Sequence, residues 1–178
     1  MRKFNRLFGI GISRTGTTSL TVGLKMLGIT TIHFPKTLAD FWQYRAATDT
    51  TVACRFKELD LIFPHSLFIY TERDRESWIK SVSAHNFKTQ QALEMPPEAV
   101  QFVLEARVRI YGAVQPKQKH FSSAYDRHHD EVTSYFNRSA SRCLRMNIAG
   151  GEGWDKLCRF LDVPLPDTPF PHLHKGRQ

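Results

Sequence analysis

The stretch from Gly9 to Leu20 carries the residue types and the spacing that hold anions. It reads Gly-Ile-Gly-Ile-Ser-Arg-Thr-Gly-Thr-Thr-Ser-Leu, a glycine loop dense in hydroxyls with one guanidinium at Arg14. Residues 4–8 before it are mostly apolar and read as a buried strand. Leu20, Leu24 and Leu27 after it recur at helical spacing and stop at Gly28. Strand, loop and helix in that order aim several backbone N–H groups at one point. Those orphan donors and the helix dipole together favour phosphate or sulfate. Gly16 and its fellow glycines let the backbone approach the anion. Thr15, Thr17 and Thr18 add hydroxyl donors, and Arg14 adds a fixed cation. A glycine turn without a ligand is the plain alternative.

Two well-known loops fit poorly. Gly11 and Gly16 have the Walker A spacing, but Thr17 stands where its lysine belongs. That disfavours ordinary nucleotide hydrolysis. Gly9 and Gly11 begin a dinucleotide fingerprint, but Arg14 stands where it needs Gly or Ala.

The elements that must position this loop alternate strand and helix, which predicts an α/β fold with a mainly parallel sheet between helical layers. Residues 29–33 read as a second strand, and a helix follows from Thr37 through Tyr44 with Leu38, Phe41 and Trp42 on one face. A third strand ends near Asp49, and a helix is expected from Cys54 to Ile62. Residues 67–71 form a continuous apolar run suited to a central parallel strand. Asp74 suits the N-cap of a helix over 75–84, which leaves Arg73 at the strand's carboxyl end. Long helical patterns run over 97–114, through Val100, Val103, Leu104, Val108 and Tyr111, and over 123–138. A last strand is expected over 143–148. An amphipathic helix through Trp154, Leu157 and Leu161 stops before a proline-rich tail, whose Phe170 is expected to pack back. The whole chain, 1–178, reads as a single domain.

His33 and Asp49 both fall at strand ends, where α/β proteins gather their ligands. For each a structural role is the alternative, packing for His33 and helix capping for Asp49.

Composition narrows the partners. The net charge of +8 favours an anion. The cations are scattered among acids and no nucleic-acid motif occurs, so no nucleic-acid partner is expected. A nucleotide with several phosphates would use the same charge. Cys54, Cys143 and Cys158 are odd in number and widely spaced, so they read as core residues in a reducing compartment. His120, His128 and His129 lack ligand spacing, and no metal is expected. No apolar run reaches membrane-span length, and the basic start is not followed by a signal peptide's apolar core. A cytoplasmic protein without a membrane span is the expectation.

Taken together, the motifs resemble the sulfotransferases that use 3′-phosphoadenosine 5′-phosphosulfate (PAPS), in a compact, P-loop-like, bacterial-type branch. Ser13-Arg14-Thr15-Gly16-Thr17-Thr18 resembles the loop that binds the 5′-phosphosulfate. Arg73 and Ser81, with Trp78 between them, resemble the pair that holds the 3′-phosphate. The run from Gly153-Trp154 through Pro169-Phe170-Pro171 resembles the family's C-terminal signature. The resemblance implies sulfuryl transfer from PAPS, without a metal, to a hydroxyl or amine of a small-molecule or carbohydrate acceptor. It implies that Arg14 steadies the bridging oxygen while Thr17 and Thr18 hold the 5′-phosphate. It places a base at the strand end occupied by Asp49, with His33 as second choice. Some of Arg138, Arg142 or the basic tail would stand in for the segment that closes over the nucleotide. Phe41, Trp42, Phe87 and Phe102 are candidates for an apolar acceptor pocket. A small-molecule kinase and a non-catalytic module that binds PAP or another anion are the competing classes.

Overall fold

In the computed structural model, residues 1–85, 87 and 93–173 are described. Five short strands form one sheet in the order β2-β3-β1-β4-β5, and every neighbouring pair is parallel. They are β1 (Leu7–Gly9), β2 (Thr31–His33), β3 (Ala46–Thr48), β4 (Leu67–Thr71) and β5 (Cys143–Met146). β1 and β4 are buried along their whole length, as their continuous apolar runs require. The chain leaves β1 toward one edge, through β2 and β3, and then crosses to β4 on its other side. A crevice opens outside the carboxyl ends at such a reversal.

Helices cover both faces. α1 (Thr17–Met26) and α8 (Trp154–Leu161) pack on one, where Leu20, Leu24, Leu157, Leu161 and Phe170 share a core with Leu7 and Ile69. The opposite face carries α2 (Asp40–Gln43), α3 (Thr50–Ala53), α4 (Phe56–Ile62), α6 (Pro97–Tyr111) and α7 (Gln118–Phe136). Phe8, Phe68, Phe56 and Phe136 form the aromatic centre of that side. α5 (Arg75–Ser83) follows β4 and buries Trp78 and Val82.

Several expected bounds shift. The first strand begins at Leu7 rather than at residue 4, and the last ends at Met146. The expected helix over 37–44 shrinks to four residues, so its supposed apolar face has no length to form. Leu38 and Trp42 are each 57% exposed, and only Phe41 is buried. The expected helix from Cys54 to Ile62 starts at Phe56, after a separate turn of helix, α3. Arg55 lies at the break, its backbone at φ −132°, ψ 14°, and its guanidinium reaches Phe102 O and Glu105, the latter 2.9 Å away. On α6 the buried stripe runs through Ala99, Phe102, Val103, Ala106 and Ile110, while Val108 faces outward. α7 begins at Gln118, and its end passes into a 3₁₀ turn over Asn137–Arg142. Only Cys158 is fully buried; Cys54 and Cys143 are half-buried. Phe170 does pack back on the domain. No described helix is long and apolar enough to cross a membrane.

Candidate functional site

A cleft of about 810 Å³ lies along the carboxyl ends of the strands. Its floor is the loop between β1 and α1. Gly16 takes φ +103°, and the helix that follows it has no side-chain cap. The opening N–H groups of α1 are therefore left for a ligand. Gly11 is required for a different reason. A Cβ there would overlap the hydroxyls of Thr71 and Thr15, which meet at 2.7 Å and tie the loop to β4. Three further bonds fix the loop from below. Trp78 Nε1 donates to Ser13 O at 2.9 Å, Thr15 Oγ1 to Ile12 O at 2.7 Å, and His128 Nε2 to Ile10 O at 2.8 Å.

The hydroxyls divide into two groups. Ser13, Thr17 and Thr18 line the cleft. Thr15 does not: its hydroxyl is spent on Ile12 and Thr71, so it shapes the loop rather than meeting an anion.

One end of the cleft gathers cations. Arg73 Nε donates to Ser77 Oγ at 2.9 Å, and its Nη1 reaches Arg14 O at 3.4 Å. Arg14 Nε donates to Ser81 Oγ at 3.1 Å, so the loop arginine crosses to the β4–α5 side. The two guanidiniums feel one another. Burial first, and then the Arg14 charge, pull the Arg73 pKa below its ordinary value. Neither has a carboxylate partner within ion-pair distance among the described residues. Asp74 offsets this in part, but it makes no ion pair with Arg73, and two adjacent cations without an ion-paired carboxylate attract an anion.

The other end holds a histidine–carboxylate pair. β2 and β3 are neighbours in register, His33 beside Thr48, so His33 and Asp49 stand next to each other. Asp49 Oδ2 lies 3.0 Å from His33 Nε2. Asp49 also caps α3, its Oδ1 accepting from Thr50 N at 2.6 Å and from Thr50 Oγ1 at 3.0 Å. Burial pushes its carboxyl upward, but the His33 and Thr50 hydrogen bonds outweigh burial, and the pKa falls below 3.8. The capping alternative and the site alternative are thus both realised by one carboxylate. Its backbone sits at φ +91°, ψ −176°, a region that is essentially glycine's. Five described non-glycine residues have positive φ, and three of them, Arg14, Phe34 and Asp49, line this cleft. Strain of that kind persists only where the surroundings over-determine it.

A chain of bonds joins loop and pair. Ser13 N–H donates to Thr50 Oγ1 at 3.0 Å, and Thr50 Oγ1 donates to Asp49. His33 Nε2, which faces Asp49, also lies 3.4 Å from Thr17 Oγ1 and 3.3 Å from Thr18 Oγ1, so the imidazole stands among the hydroxyls of the loop. The arrangement can therefore take a proton at one end while anions are held beside it.

The expected apolar pocket is not formed by its four candidates. Phe41 and Phe102 are core residues with ring centroids 6.2 Å apart. Trp42 lies on Phe63, and Phe87 packs on Tyr111 and Phe121. Arg142 is held bidentately by Asp60, at 2.6 and 2.9 Å, and does not line the cleft. The basic end of the tail, 174–178, lies outside the described residues. Residues that pattern reading passed over do line it: Phe34, His85, Ile148, His172 and Leu173. Only Phe170 hinted at the last two, because a buried aromatic anchors its neighbours.

A family model described as a sulfotransferase domain matches residues 38–178. The matched span includes Asp49, Arg73, Ser81 and the tail, and it begins after the loop and His33. The chain is also similar to Ava biosynthesis cluster protein M of Aspergillus versicolor. The identity is 24% over 204 residues, covering 92% of this chain and 78% of the relative.

Proposed function

The chain belongs to the sulfotransferase family, and from that premise we propose that it transfers a sulfuryl group from PAPS to a hydroxyl or amine of a small acceptor. The single observation that carries the donor assignment is the pair Arg14 and Arg73, two cations with no ion-paired carboxylate among the described residues, beside an uncapped helix N-terminus. That set fits a nucleotide with negative charge at two places. When bound, PAPS supplies an activated sulfuryl group and leaves as adenosine 3′,5′-bisphosphate.

The residues divide the work by position. The N–H groups of α1's first turn, with Ser13, Thr17 and Thr18, hold the phosphosulfate. Arg73, with Ser77 and Ser81 nearby, holds the 3′-phosphate, and Arg14 bridges the two groups. As the sulfur–oxygen bond to the phosphate breaks, Arg14 and the loop N–H groups stabilise the charge left on the bridging oxygen. The acceptor's proton passes to the His33 imidazole as its oxygen or nitrogen bonds to sulfur. Asp49 holds the imidazole and balances its positive charge. The carboxylate itself is the weaker choice of base, since its lone pairs are taken by Thr50 and His33.

Calorimetry on the full chain tests the donor site. PAP is expected to bind at micromolar concentration or tighter with EDTA present, and ATP with Mg²⁺ to bind far more weakly. Transfer of label from PAPS to phenol, alcohol or amine acceptors tests the chemistry. Preferred binding of Mg·ATP with phosphate transfer would make the protein a kinase. PAP binding without transfer to any acceptor would leave a binding module.

A further inference from the structure

We propose that the tail segment from Thr168 to Leu173 forms the purine-side wall of the cleft, with His172 and Leu173 against the adenine ring and ribose of the donor. The proposal rests on the reading that the cleft takes an adenine nucleotide. It adds which residues recognise the base, a part of the ligand that neither arginine nor helix N-terminus can distinguish.

The tail is pinned on both sides of His172. Phe170 is 8% exposed and meets the Trp154 ring edge-on at 4.9 Å. It lies on two glycines: a Cβ at Gly23 would come within 3.0 Å of Phe170 Cε2, and one at Gly153 within 2.9 Å of Phe170 Cβ. Trp154 Nε1 donates to Thr168 O at 2.7 Å. Further along, Leu173 N–H donates to Ser19 Oγ at 2.9 Å. Ser19 belongs to the first turn of α1, the turn that opens on the cleft.

Between these anchors the tail places side chains, not backbone alone, on the cleft. His172 and Leu173 both line it, and both are exposed. The His172 ring stands edge-on to Phe170, with centroids 5.7 Å apart, so a buried neighbour sets its place. Ile148 and Ala149, just beyond β5, line the same cleft. A fixed ring and an isobutyl group, set with Ile148 and Ala149, suit a flat heterocycle better than a phosphate. Gly153 and Trp154 support the wall from behind, through Phe170.

The test compares PAP with its base-free counterpart, an abasic ribose 3,5-bisphosphate, by calorimetry on the full chain. Wild type is expected to prefer PAP. His172→Ala is expected to cut that preference about tenfold, a stacking-sized loss, and to leave the abasic affinity unchanged. Leu173→Pro removes the N–H that reaches Ser19 and is expected to act in the same direction. His172→Phe, which keeps a ring, is expected to retain the preference. Melting curves on each variant report whether the fold is intact. Variants that keep the full preference for PAP would overturn the proposal. So would variants that lose both ligands in parallel, since the tail would then serve the phosphates. If wild-type protein binds neither ligand, the donor reading itself fails, and that outcome is separate from either of these.

Discussion

The two ends of the cleft solve the same electrostatic problem in opposite ways. At the β2–β3 end the chain supplies its own partner for the charge: Asp49 meets His33 at 3.0 Å, and Thr50 fills the remaining carboxylate oxygen. At the β4 end positive charge is left in excess: Arg14 and Arg73 are close enough to disturb each other, and Asp74 offsets them only in part. A charge that the chain has already answered is a tool for orienting a neighbour. A charge left unanswered is a socket. Reading the two ends side by side separates residues that prepare the chemistry from residues that wait for the donor.

The largest effect is expected at the self-satisfied end. Asp49→Asn keeps a cap for α3 but removes the charge facing His33. Turnover should fall about 100- to 10,000-fold, the range of a lost acid–base pair, while PAP affinity stays near wild type. His33→Ala combined with Asp49→Asn should be no worse than His33→Ala alone, because the two act as one unit. Additive losses would break the comparison by giving Asp49 a role of its own.

An intermediate effect is expected at the socket. Arg73→Ala should weaken PAP about 10- to 100-fold, the worth of a charge-assisted contact. The ligand-free protein should melt no lower than wild type, since the substitution removes a like-charge neighbour. A marked drop in melting temperature without ligand would mean that Arg73 is a structural residue after all.

The smallest effect concerns the floor shared by both ends. His128 is fully buried under the loop, and burial lowers its pKa from 6.5 to about 4 despite the bond to Ile10 O. The unfolded chain then takes up the proton first. Stability should fall as pH drops from about 6.5 toward 4, by about 2 kcal/mol at pH 5 relative to neutral pH. His128→Leu should flatten that dependence in pH-resolved melting curves. An unchanged slope would shift the acid sensitivity to the carboxylates.

What the sequence disclosed was local. The loop from Gly9 to Thr18 and the strand before Arg73 are short patterns, each readable alone, while the pairing of β1 with β4 that sets their turns side by side came from the structure. The His33–Asp49 contact was not legible, because it exists only through the pairing of β2 with β3. Thr15 was misread for a related reason: its partner, Thr71, lies on another strand and claims the hydroxyl. Trp42 was misassigned because a helical face was inferred where four residues of helix leave no face. Arg55 shows the same limit, as the backbone leaves the helical region there, inside the helix expected from Cys54.

The left-handed backbone at Arg14, Phe34 and Asp49 has an evolutionary corollary. Each such residue holds on the order of 1–3 kcal/mol that a glycine would release. Breeding this protein for heat tolerance without assaying turnover would therefore erode the cleft first. Mutations fixed at those three sites would mark a lineage in which the chemistry had ceased to matter.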